Sequence, residues 1–194
     1  MPEPDPPTLA ASEAWVVASS RSRHPSRSFR SDDGWLWDVA SGLAGVAVPW
    51  NATTAEPPAT RVYERLLVAD DYDVWLIHWP PGATLGLHDH GGSAGAFCVV
   101  SGELRERARP ADGATTDRVV VEGEGAVFGP TRLHAISNPN PTTATSVHVY
   151  SPPLEQMAFY DVSSAVSPPI RVEREVDWHP GSAATDRTPG GRPA

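Results

Sequence analysis

Between residues 61 and 174 the apolar positions fall into short runs separated by Gly, Pro, Asp and Asn. Branched and aromatic residues alternate with polar ones over four to eight positions, the signature of half-buried strands. The pattern predicts strands over Val62–Ala69, Asp73–Trp79, Ala94–Val100, Glu103–Ala108, Arg118–Glu122, Ala126–Gly129, Leu133–Ser137, Thr145–Tyr150 and Met157–Val162. Turn residues stand between them at Asp70-Asp71, Pro80-Pro81-Gly82, Ser101-Gly102, Asp112-Gly113, Gly123 to Gly125 and Asn138-Pro139-Asn140. Many closely spaced strands without intervening helices predict an antiparallel sandwich or barrel. Residues 31–60 carry Trp35, Leu36, Trp37, Val39 and Leu43, which predicts a packed helical piece before the sheet. Residues 1–30 hold material for one short helix near Thr8–Ser19, capped by Thr8 or Ser12. The expected organisation is an extension over 1–60, a barrel over 61–174 and a disordered tail rich in Pro, Gly and Ala over 175–194. The extension is expected over the open end of the barrel.

The 194 residues suffice for one domain with a real core. The net charge of −9 argues against nucleic acid or an anionic membrane as partner, because both require a basic surface. Lysine is absent and all 15 basic residues are arginine, which we read as a coding bias. A single cysteine, Cys98, excludes an intramolecular disulfide or a multi-cysteine metal site. No apolar run approaches the roughly 18 residues of a membrane span. Met1 to Pro7 lack a basic segment followed by an apolar one, so the cytoplasm is the expected compartment. A monomer or weak homo-oligomer is expected.

The sharpest chemical feature is His88-Asp89-His90. On an extended chain, residues two apart point the same way, so both imidazoles converge while Asp89 points off. His134 follows much later, after the turn-like Gly129-Pro130, with Asn138 four positions on. Gly82 stands six residues before His88 and Gly102 twelve after His90. Glycine, His-x-His and glycine, then histidine with an asparagine, resemble the two cupin motifs in order. The resemblance implies a double-stranded β-helix (jelly-roll) barrel with a metal on His88, His90 and His134. The motif's usual fourth ligand, a glutamate four or five residues after the second histidine, is replaced by Ala94 and Gly95. Three neutral nitrogens and an open face result. Imidazoles suit Fe, Zn, Cu or Ni, and an open face suits a chelating substrate with O2 on iron.

Further segments resemble the bacterial type I cysteine dioxygenases, a thiol dioxygenase family of the cupins. They are Tyr63 to Val68, Trp75 to Gly82, Gly86 to Ser93, Leu133-His134 and Ser146 to Pro153, over about residues 61–160. The resemblance implies Fe(II), one per chain, with O2 as co-substrate and a small thiol, L-cysteine, oxidised to its sulfinic acid. It implies that Arg65 binds the substrate carboxylate. It also implies that Ser146, His148 and Tyr150 form a relay ending in a hydroxyl over the iron. Mammalian members cross-link that tyrosine to a cysteine seven residues after the first ligand; here the position is Gly95. The alternation agrees: Ser146, His148 and Tyr150 share one strand face, with Val147 and Val149 on the other. Three polar groups on the face of a core strand must satisfy one another or a ligand. Arg65 shares a face with Tyr63 and Leu67 and needs an anion there.

Other histidines read as ordinary: His78 as core, His24 and His179 as solvated. Cys98 reads as a small core hydrophobe facing away from the metal, Asp89 as solvated or loop-bonding, and the tryptophans as packing. Arg61 has the same parity as Arg65 and competes for the carboxylate. Rival functions are dioxygenation of 3-mercaptopropionate or another thiol, a non-catalytic metal- or ligand-binding cupin, and a Zn or Mn cupin isomerase. Enzymes preferring 3-mercaptopropionate carry glutamine at the Arg65 position, and the isomerases generally keep the glutamate missing here.

Overall fold

A computed structural model of the chain describes residues 34–46, 59–109, 115–161 and 168–174. The expected helix at Thr8–Ser19, the tail over 175–194, His24, His179, Trp15, Trp50 and Trp178 lie outside them. Within them are one helix, α1 (Gly34–Gly45), and eleven strands. The strands are β1 (Val62–Val68), β2 (Asp73–Trp79), β3 (Thr84–His88), β4 (Ala94–Ser101), β5 (Glu103–Arg109), β6 (Thr116–Val121), β7 (Gly125–Phe128), β8 (Leu133–Ser137), β9 (Ala144–Ser151), β10 (Gln156–Phe159) and β11 (Arg171–Arg174). No described helix is long and apolar enough to cross a membrane.

The strands form two antiparallel sheets, one in the order β1-β2-β9-β4-β7, the other β11-β10-β3-β8-β5-β6. Successive strands repeatedly switch sheet, which is the double-stranded β-helix expected from the motifs. Nine strands fall where alternation puts them, β2 and β8 to the residue. Two are additional. β3 escapes the alternation rule because its register slips between Leu85 and His88, so Gly86-Leu87 breaks the two-residue period. β11 is a four-residue, charged and mostly exposed edge strand.

The central strands β2 and β9 are buried along both faces. Inward-facing Trp75, Ile77, Trp79, Phe97, Val99 and Tyr150 join residues of the second sheet in one core cluster. Outward-facing Val74, Leu76, Ala96, Cys98, Val147 and Val149 form a second cluster with α1. Leu36, Ala40 and Ala44, spaced by four, are the buried stripe of that helix. The described part of the extension therefore covers the outer face of the first sheet. The physical reason is that a sheet with apolar residues on both faces needs a second layer. The remainder of the 1–60 segment expected over the open end lies outside the described residues.

Asn138 ties the two ends of the sheets together. Its side-chain amide donates to the carbonyls of Trp79 (2.7 Å) and Thr142 (2.8 Å), and its Oδ1 accepts from Asn140 N (3.0 Å). Its backbone closes a pair of bonds with Gly82 and Ala83. The asparagine after the histidine motif is thus a clamp between the β2–β3 and β8–β9 turns. Asn138→Ala should cost about 2–3 kcal/mol, since buried carbonyls lose their donors; thermal and urea unfolding measure it.

Candidate metal centre

His88 is the last residue of β3, and its Cα pairs directly with that of His134 on β8. His90 lies just past the strand end, in a turn closed by Ser93 N to the His90 carbonyl (3.1 Å). Asp89 points away, as its position between the two requires, and fastens this loop. Its carboxylate accepts from Gly91 N, from Ala158 N and from the Tyr160 hydroxyl at 2.6 Å. Gly91 is indispensable to the turn: its φ is +60°, and a Cβ there would lie 2.5 Å from the Gln156 side chain.

One nitrogen from each of His88, His90 and His134 lies within 4.8 Å of the others. All three residues are 1% exposed. His90 Nε2 and His134 Nε2 are 3.2 Å apart. Nitrogens each about 2.1 Å from a shared cation stand about 3.0 Å apart at a right angle and about 3.4 Å at a tetrahedral one. The spacing fits a common cation.

The ring tautomers agree. His88 Nδ1 donates to the Gly86 carbonyl (2.8 Å) and His134 Nδ1 to Glu106 Oε1 (2.8 Å), so both leave the Nε2 lone pair for a metal. His90 Nδ1 is buried without a hydrogen-bond partner among the described residues; its ring stacks on Phe128 at 4.6 Å. Burial, then the neighbouring imidazoles, hold His88 and His90 well below the usual histidine range. Neutral, convergent imidazoles are the form a cation binds. Among the described residues no carboxylate joins the cluster. Glu106 sits on the far side of the His134 ring. Burial alone would raise its carboxyl, but His134, Arg132 and Arg118 together bring it to about 2.

A cavity of about 50 Å³ opens beside the rings, its wall including His88, His134, His148, Tyr150, Trp75 and Arg61. That is room for roughly four water-sized groups, a small molecule rather than a peptide. Ser146, His148 and Tyr150 form a chain of bonds, 2.9 Å from Ser146 Oγ to His148 Nε2 and 3.2 Å from His148 Nδ1 to Tyr150 Oη. Trp79 Nε1–H can only donate and does so to Ser146 Oγ at 2.9 Å. The arrangement that also gives the hydrogen of the buried Ser146 hydroxyl an acceptor within the chain has it donate to His148 Nε2, with His148 Nδ1–H donating to Tyr150. The Tyr150 hydrogen then faces the cavity. Burial, above all, pushes His148 down to about 3. Burial and the charge of Asp73 push the Tyr150 hydroxyl above its usual value.

The two arginines part company. Arg65 Nε and Nη2 bond Asp73 Oδ2 at 3.1 and 2.9 Å, and the guanidinium lies over Trp75. Asp73 is fully buried and also accepts from Trp75 Nε1 and Leu154 N. Arg61 lies in the cavity wall and donates to the Thr84 carbonyl at 3.3 Å. A bulge between Arg65 and Leu67 breaks the shared face expected for them and leaves Leu67 exposed. His78 bonds Thr145 Oγ1 within the core, and Cys98 faces α1. Glu106 went unnoticed in the sequence. Its parity with Leu104 and Ala108, the buried residues of β5, was the available signal.

At Gly95, directly paired with Tyr150, a Cβ would lie 2.7 Å from the Phe128 ring. Phe128 fills the space a larger side chain would need.

A family model described as cysteine dioxygenase type I matches residues 58–163. Solved structures with a similar barrel include TT1209 from Thermus thermophilus (TM-score 0.46, 17% identity, 53% of this chain and 93% of that one). An uncharacterized conserved protein with a double-stranded β-helix domain from Klebsiella pneumoniae is also similar (0.42, 22%, 53% and 85%). So is oxalate oxidase in complex with the substrate analogue glycolate (0.43, 22%, 50% and 53%); the match spans about half of that enzyme.

His88, His90 and His148 all resist protonation in the folded state and accept protons freely in the unfolded chain. Their stabilisation is complete above the unfolded histidine pKa near about 6.5 and is lost as pH falls through it. Metal-stripped protein should therefore keep a level melting temperature between about pH 7 and 8 and lose stability below, by up to about 1.4 kcal/mol per pH unit for each such histidine. Thermal unfolding at fixed ionic strength tests this; a midpoint unchanged down to pH 5 would contradict it.

Proposed function

Because the chain belongs to the type I cysteine dioxygenase family, we propose that it uses Fe(II) on His88, His90 and His134 to oxidise a small thiol with O2. L-Cysteine is the first candidate and its sulfinic acid the product. The observation that carries this reading is the meeting of three convergent imidazoles, joined by no carboxylate among the described residues, and a hydroxyl relay at the wall of one small cavity. The equation balances without a further reductant: RSH and O2 give RSO2H, with sulfur supplying all four electrons. Bound iron would supply the Lewis acidity that turns the thiol into a thiolate and the open positions at which thiolate and O2 react.

The chain's own residues bind and orient. Tyr150, kept protonated, donates its hydroxyl hydrogen into the cavity. His148 and Ser146 hold it there from behind, and Trp79 donates to the far end of the chain. Tyr63, Trp75, Ile77, Leu85, Leu154 and Met157 give the wall an apolar surface that limits water. An arginine anchors the carboxylate and so sets the orientation of a substrate with few other contacts. The resemblance gives that role to Arg65. A second reading gives it to Arg61, because Arg61 lines the cavity while Arg65 is bonded to buried Asp73.

Oxygen uptake should follow Fe(II) loading, disappear with a chelator and not return with Zn(II). Cysteine, 3-mercaptopropionate and cysteamine are compared in parallel. With Arg65 as anchor, Arg65→Gln raises the KM for cysteine about 10- to 100-fold, the worth of a charge-assisted pair, and leaves cysteamine, which has no carboxylate, unchanged. The same loss in Arg61→Gln alone transfers the role to Arg61. Uptake with 3-mercaptopropionate only rejects cysteine as substrate. No uptake with any thiol leaves a ligand-binding cupin.

A further inference from the structure

We propose that Glu106 is a positioning residue for the metal: it fixes the ring orientation and tautomer of His134 and makes it the most strongly donating of the three ligands. The inference rests on the metal-binding reading of the three histidines and adds a residue outside that set.

Glu106 lies on β5, inside the second sheet, and its side chain is 1% exposed. A buried carboxylate is costly unless fully paired. Here the pairing is nearly complete. Oε2 accepts from Arg118 Nε at 2.9 Å, and Oε1 from Arg132 Nη2 at 3.2 Å and from His134 Nδ1 at 2.8 Å. Two guanidiniums keep it ionised, so it offers acceptors only. His134 must then carry its proton on Nδ1, which commits Nε2 to the point where it meets His90 Nε2.

The three ligands are not equivalent. His88 leans on a neutral carbonyl, that of Gly86, and His90 Nδ1 has no described partner. Among the described residues only His134 has an anion behind it. A negative partner on the remote nitrogen raises the basicity of the imidazole and tightens its hold on a cation. Glu106 is not among the residues of the cavity wall, so it acts through His134 and not on substrate. The alternative is that the Glu106, Arg118 and Arg132 cluster merely pins β5 to its neighbours.

The test compares Glu106→Gln, which keeps the shape and removes the charge, with Glu106→Asp and Arg118→Gln. Fe(II) affinity is measured by competition with a chromophoric chelator, and the melting temperature on metal-free protein. The expected result is an affinity about 10- to 100-fold weaker in Glu106→Gln and partly restored in Glu106→Asp. Arg118→Gln leaves Arg132 and His134 on Oε1, so it should lose melting temperature without a comparable loss of affinity. Should Glu106→Gln and Arg118→Gln both melt earlier and both keep wild-type affinity, the carboxylate is only structural and the proposal falls. If the variants do not fold, ¹⁵N spectra of the metal-free wild type decide: a proton on His134 Nδ1 supports the proposal, and one on Nε2 overturns it. Wild-type protein that holds no divalent metal would overturn the metal reading itself, a failure distinct from that of Glu106.

Discussion

Imidazole lone pairs brought to about 3 Å in a dry interior repel one another unless a positive charge lies between them. That constraint organises this barrel. The direct pairing of His88 with His134 across β3 and β8 supplies two rings, and the turn at Gly91 returns the third. The groups behind the rings then matter as much as the rings. A carbonyl and a buried carboxylate turn two protons outward, and hydrophobic stacking holds the remaining ring. A scaffold that places two cationic side chains against a buried glutamate beneath one histidine is equipped to hold a cation.

The same economy of parity shapes the first sheet. Along β9, Ser146, His148 and Tyr150 turn inward as a directed chain of hydrogen bonds, while Val147 and Val149 turn outward under α1. One strand thus carries both the polar relay and part of the apolar layer that holds it rigid. Trp79, on the neighbouring strand, contributes its ring to the core and its single N–H to the far end of that relay.

Much of this was legible in the chain because it depends on two-residue periodicity. The strands with clean alternation, the convergence of His88 and His90, the shared face of the relay and the outward Cys98 all follow from it. What was not legible depends on breaks in that period or on partners far along the chain. The slip in β3 concealed a strand containing a candidate ligand, and the bulge after Arg65 changed which side chains share its face. Asp73, which engages Arg65, is an ordinary strand residue until the two strands pair. Glu106 resembles any charge in the run Glu103-Leu104-Arg105-Glu106-Arg107, and its burial becomes meaningful only when β8 sets His134 beside it.

Gly95 has a consequence in time as well as space. Phe128 occupies the room beside it, and Tyr150 is held by His148 and by packing rather than by a covalent bond. Nothing at this tyrosine has to be assembled after the chain folds. The phenol is placed by strand pairing, so its position is settled as soon as β4 lies between β7 and β9.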